Sequence, residues 1–124
     1  DYCLENQVRK LAYVSSVAAV NTPSGETASE SSGWPTDKRN LYSLTKTRGE
    51  FEVWRGVAEG LQVVIVNPSV IIGPGNWQQS SARFFDNIYK GLKFYPPGST
   101  GFVDNRDVAD ALISVAEAHL APPR

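Results

Sequence analysis

The 124-residue sequence contains one cysteine, Cys3. No internal disulfide can form, which fits a reducing compartment and makes the cytoplasm the expected location. Cys3 reads as a small buried apolar side chain rather than a reactive thiol. There is also one histidine, His119, with no histidine or cysteine near it in the chain. The usual zinc ligand sets are therefore missing, and no metal site is expected. Basic clusters are scarce. The densest, Lys38-Arg39, has Asp37 beside it, and the formal net charge is -1. Neither a nucleic-acid groove nor a face for anionic membranes is indicated. No apolar run approaches the roughly 18 residues of a spanning helix.

What is present is ordinary for a globular chain: 41% hydrophobic and 20% charged residues, enough for one small domain with a core. The two ends are less ordinary. "DYCLENQVRK" reads as a helix over residues 1 to 8 running into a strand, and "APPR" falls just past another helix. The chain is thus expected to be a piece of something longer.

"KLAYVSS" (10 to 16) is apolar and β-forming and ends in small polar residues, as a buried parallel strand does at its carboxyl end. Residues 21 to 40 are rich in Pro, Gly, Ser and Thr without periodicity, a long loop of the kind that often carries function. A helix is predicted over 41 to 59, started by Asn40 or Asp37 and ended by Gly60. Its apolar residues Leu44, Phe51, Trp54 and Ala58, with Leu61, share one face. "LQVVIVNPS" (61 to 69) is the best strand, "GPG" (73 to 75) is a turn, and a helix is predicted over 79 to 92. The last segment reads as a strand stub and a helix capped by Asp104 or Asp107. Alternating strands and helices, with the strands apolar throughout, predict an α/β fold: part of a doubly wound parallel sheet with helices on both faces. Ligands of such sheets sit beyond the carboxyl ends of the strands, here at Ser15, Ser16 and "NPSVIIGPG".

Tyr42 and Lys46 stand four apart at the start of the long helix, so both can reach one pocket. An ammonium and the positive end of a helix dipole both favour a phenolate, which brings a phenol within range of acid-base work. Ser16, at the preceding strand exit, is the candidate to hold a substrate oxygen beside it. Taken alone, such a pair is more often a rim tyrosine and a solvated lysine. The order of the segments around it raises it above that background.

The segments "KLAYVSSVAAV", "LYSLTKTRGEFEV", "LQVVIVNPSVIIGPGNWQQSS" and "FYPPGSTGFVDNRDVADA" together resemble the extended short-chain dehydrogenase/reductases, the NAD-dependent epimerase/dehydratase family. Within it the chain looks closest to the dihydroflavonol-reductase-like members. The resemblance covers nearly the whole chain. It implies that Ser16, Tyr42 and Lys46 are the catalytic set: Ser16 orients the substrate, Tyr42 is the acid-base group, and Lys46 favours the phenolate and holds the nicotinamide ribose. It implies that Tyr42, Lys46, Pro68, Ser69 and Val70 lie along the cofactor, and that Ala18 and Trp77 line the substrate side. Ser80 and Ser81 either meet phosphate through backbone N–H groups or simply cap a helix. Asp104 and Asp107 match a motif that reads as structure.

Departures exist. Gly49 stands for a more usual alanine, and Asn105 for an apolar residue, which predicts a more exposed strand stub. No G-x-G-x-x-G occurs, so the cradle for the adenosine half of NAD or NADP is missing. The expectation is one partial domain over 1 to 124, the middle-to-late portion of a longer Rossmann-like enzyme. Alone, such a chain would bind cofactor weakly or not at all. The function implied is an NAD(P)-dependent carbonyl or alcohol reductase acting on a small molecule. The alternatives are a nucleotide-sugar epimerase or dehydratase on the same fold, and an inactive fragment or non-enzymatic binding protein. Relatives often pair through the Tyr42 helix, which leaves a homodimer open.

Overall fold

The computed structural model describes residues 1–22, 26–36, 40–75, 82–91, 94 and 100–118. The first helix, α1 (Tyr2–Glu5), is half the length expected. Its end explains why. Gln7 takes a φ of 52°, Gln7 N–H donates to Leu4 O, and Val8 N–H donates to Cys3 O. That is the Schellman ending, in which a left-handed residue turns the chain out of the helix.

β1 (Leu11–Val14) runs parallel to β2 (Val63–Val66), with Leu11 opposite Val63 and Val14 opposite Val66. Their pairing continues past the strands: Ser15 N–H donates to Val66 O at 2.9 Å and Val17 N–H to Pro68 O at 3.0 Å. Between them lie a 3-10 turn (Val17–Ala19), the loop and α2 (Leu41–Ala58). This is the crossover that parallel neighbours require. Asn40 starts α2, its side-chain oxygen accepting from Ser43 N–H at 3.1 Å. Gly60, with φ 101°, ends it by the same Schellman pattern: Gly60 N–H bonds Val57 O and Leu61 N–H bonds Gly56 O. Leu61 folds back beside Gly56 and is buried.

A second unit follows. β3 (Val70–Ile72) pairs parallel with β4 (Phe102–Asp104), and α3 (Ala82–Tyr89) lies between them in the chain. The strand predicted over 61 to 69 is thus shorter, and Val70 belongs to a different ladder. Asn67 and Pro68 make the break, since Pro68 has no N–H to continue the pairing. Among the described residues the strands form two two-stranded ladders rather than one continuous sheet. α4 (Asn105–Glu117) contacts all four strands, with Val108, Leu112 and Val115 half-buried on one face. Asp104 caps it by accepting from Arg106 N–H at 2.8 Å, and Lys10 Nζ closes its far end on Ala116 O and Ala118 O. Phe84, Phe85 and Phe102 cluster where α3 meets β4. Phe102 remains exposed, as expected for the stub, but Asn105 is the first residue of α4 and lies against Gly73.

The apolar stripe of α2 does not face inward: Phe51 and Trp54 are exposed, Ala58 is exposed and Leu44 is only half-buried. The buried face is Ser43, Thr47, Glu50 and Val53. Ser43 and Glu50 meet polar partners across the fold, Val53 packs as an apolar side chain, and the Thr47 hydroxyl has no partner among the described residues. Buried apolar side chains among the described residues are few: Ala19, Val53, Leu61 and Val64. His119 lies outside the described residues, as does the expected start of the helix over 79 to 92.

Candidate active site

Ser16 follows β1 in extended conformation and caps the 3-10 turn, its Oγ accepting from Ala18 N–H at 3.2 Å. It is buried, and no acceptor among the described residues takes its own hydrogen. Ser15, its neighbour, is 3% exposed and its Oγ has no partner among the described residues. Ala18 O accepts from Ser43 Oγ at 2.6 Å. That bond fastens the first turn of α2 to the turn that carries Ser16 and Ala18.

Tyr42 and Lys46 project from the same end of α2. Lys46 Nζ stands 5.9 Å from the centre of the Tyr42 ring, within cation–π range. Tyr42 is 57% exposed, so its phenol is open to a ligand. The β1 and β2 exits, the 3-10 turn and the start of α2 therefore bring Ser16, Ala18, Tyr42, Lys46 and Pro68 to one edge of the fold. Ser69 and Val70 lead away from it: Val70 N–H bonds Gly101 O, and Ser69 lies against Gly101. Trp77, Ser80 and Ser81 are outside the described residues.

Four neighbours of this edge escape sequence reasoning. Ser43 is one. The others are Glu50, Trp34 and Asn67, the last lying in the strand-exit segment named above but given no part of its own there. Glu50 is 6% exposed; one carboxylate oxygen accepts from Asn67 Nδ2 at 2.6 Å and the other from Trp34 Nε1 at 3.1 Å. Asn67 Nδ2 also donates to Ser16 O at 3.1 Å. The one available signal is a glutamate one helical turn after Lys46. The structure also accounts for Gly49, because the Tyr13 hydroxyl fills the place of a side chain there.

An exposed phenol beside an ammonium, at the carboxyl edge of parallel strands, fits the nicotinamide-ribose end of a dinucleotide. Nothing in the sequence supplies the glycine-rich turn that would hold the pyrophosphate. Fold and edge together define a portion of a Rossmann-type α/β domain. The chain belongs to the NAD dependent epimerase/dehydratase family, whose model it matches over residues 1–123.

Among its relatives, tetraketide alpha-pyrone reductase 2 of Arabidopsis thaliana is 40% identical over 87 residues, covering 67% of this chain and 27% of that protein. Cinnamoyl-CoA reductase CAD2 of Medicago truncatula is 32% identical over 122 residues, covering 89% of this chain and 37% of that protein. The chain thus spans about a third of the length of the curated relatives it matches. A UDP-N-acetylglucosamine 4-epimerase from Methanobrevibacter ruminantium, solved with UDP-N-acetylmuramic acid, superposes with a TM-score of 0.77 at 21% identity. The superposition takes in 95% of this chain and 41% of that one, and it bears on the fold alone. The family is one of enzymes. No helix among the described residues is long and apolar enough to cross a membrane.

Proposed function

We propose that these residues are the catalytic portion of an NAD(P)-dependent reductase that converts a small-molecule carbonyl to an alcohol. The observation that carries this reading is Lys46 Nζ 5.9 Å from the exposed Tyr42 ring, on a helix tied through Ser43 and Ala18 to Ser16. Tyr42 and Lys46 hold the nicotinamide ribose, and Pro68 flanks the ring, with Ser69 and Val70 continuing the strand-exit segment past it. When bound, the nicotinamide supplies the hydride. The chain does the rest. Ser16 Oγ donates its hydrogen to the substrate oxygen, which Ala18 N–H leaves free by bonding the opposite side of that Oγ. The Tyr42 hydroxyl gives its proton to that oxygen as charge develops there, and the Lys46 ammonium stabilises the phenolate left behind. Ala18 and Trp77 line the substrate side, and Ser81 belongs to the phosphate side.

The chain is read as one partial domain whose dinucleotide cradle lies in residues outside it. Exposed Leu41, Phe51 and Trp54 on α2 support a second copy as partner. The single cysteine supports a cytoplasmic setting.

The test is an assay of the full-length protein with NADPH or NADH and three substrates: cinnamoyl-CoA, a tetraketide α-pyrone and a dihydroflavonol. Net oxidation of the cofactor is the expected result, with an alcohol formed from the pyrone or dihydroflavonol ketone, or an aldehyde and free CoA formed from the thioester. The competing reading is a nucleotide-sugar epimerase or dehydratase, which the family also contains. Its signature is conversion of a UDP-sugar with retained NAD and no net change in the cofactor. That result would replace the reductase reading.

A further inference from the structure

We propose that Glu50 and Asn67 are positioning residues that hold Ser16 in place against the helix carrying Tyr42 and Lys46; this rests on the reading of Ser16, Tyr42 and Lys46 given above. Glu50 is 6% exposed, and among the described residues no cation pairs with it. Burying a carboxylate is costly unless its oxygens are occupied by donors. Both oxygens are. Trp34 Nε1 donates to one at 3.1 Å, and Asn67 Nδ2 to the other at 2.6 Å, a short charge-assisted bond.

The chemistry of the partners explains the residue type. An indole N–H and an amide NH2 can only donate. The group between them must accept on both sides, which a carboxylate does and a glutamine cannot. A glutamine would aim its own NH2 at one of the two donors.

Asn67 carries the effect onward. Its NH2 has two hydrogens; one goes to Glu50 and the other to Ser16 O at 3.1 Å. The carboxylate therefore fixes which way the Asn67 amide points. The amide in turn fixes the Ser16 carbonyl at the point where β1 gives way to the 3-10 turn. Holding that peptide sets the direction of the Ser16 side chain, whose Oγ is already oriented by Ala18 N–H. Glu50 is also one turn after Lys46 and two after Tyr42, so one helix carries all three, with Glu50 on its buried face and Tyr42 exposed. One buried carboxylate thus sets the spacing between the proton donor on the helix and the serine on the strand exit. Trp34 brings the preceding loop into the same arrangement.

The test is a double-mutant cycle in the full-length protein, using whichever of the three carbonyl substrates above it reduces. Glu50→Gln is expected to lower kcat about 100-fold, the scale of a misplaced reacting group, with cofactor affinity unchanged. In a Ser16→Ala background the same substitution should cost little more, because the group it positions is gone. Asn67→Ala should behave alike and decide the matter if Glu50→Gln does not fold. A wild-type kcat for Glu50→Gln, or losses that add in full to those of Ser16→Ala, would overturn the proposal. Wild-type turnover in Ser16→Ala alone would instead overturn the reading of the site, and this proposal with it.

Discussion

The Tyr13 hydroxyl on β1 occupies the place where a β-carbon at Gly49 on α2 would stand, and the Tyr13 Cζ is 3.5 Å from that place. Glycine inside a helix gives up about 1 kcal/mol relative to alanine. Here it lets strand and helix meet across a tyrosine. Gly49→Ala should therefore destabilise the protein by about 1–3 kcal/mol through overpacking, despite the gain in helix propensity. In a Tyr13→Phe background the obstruction is gone, because only the hydroxyl is too close. There Gly49→Ala should stabilise by about 1 kcal/mol. Denaturant unfolding of the four variants checks both signs.

Ser43→Ala removes the 2.6 Å bond to Ala18 O that fastens the start of α2 to the turn after Ser16. The Ala18 carbonyl loses its partner, at a cost of about 1–3 kcal/mol. Because that bond also sets Tyr42 against Ser16, kcat should fall while cofactor affinity holds. Melting temperature and steady-state kinetics measured together check this.

Asp104 is held well below the ordinary carboxylate range, from 3.8 to about 2, chiefly by the Arg106 side chain and then by the Arg106 backbone N–H. A carboxyl group with a lowered folded value adds stability that is present in full above its unfolded value. That stability is lost as pH falls through the folded value. Asp104 therefore supports the start of α4 above about pH 4, and its contribution fades toward about pH 2. Asp104→Asn keeps a capping side chain but should remove this part of the acid dependence. Thermal melts of both proteins across that range, at low and high salt, check the sign and the screening expected of a surface pair.

Local signals explain what could be read from the sequence. The alternation of strands and helices, the bounds of α2, and its caps at Asn40 and Gly60 all follow from neighbours in the chain. So does the Tyr42–Lys46 pair, which is one helical turn. The buried face of α2 was not legible. The apolar stripe through Phe51 and Trp54 suggests an inward face, yet Ser43 and Glu50 turn inward instead. Their partners, Ala18 and Asn67, are 25 and 17 positions away. Periodicity gives the phase of a helix but not the side that meets long-range polar partners. α1 was over-extended for another reason: Gln7 takes the left-handed position that glycine more often fills. The change of ladder after β2 hides in Asn67-Pro68, two residues that also read as a plain strand exit.

The central claim is that Tyr42 moves the proton while hydride is transferred. It is tested most directly by Tyr42→Phe in the full-length protein, with NAD(P)H deuterated on the transferring face of the nicotinamide. The wild-type protein should place the deuterium on the substrate carbonyl carbon. Tyr42→Phe should still bind the cofactor, which Lys46 also holds, yet transfer the label slower by about 100-fold or more, the scale of a lost acid-base group. Label transfer at the wild-type rate in Tyr42→Phe would contradict the account.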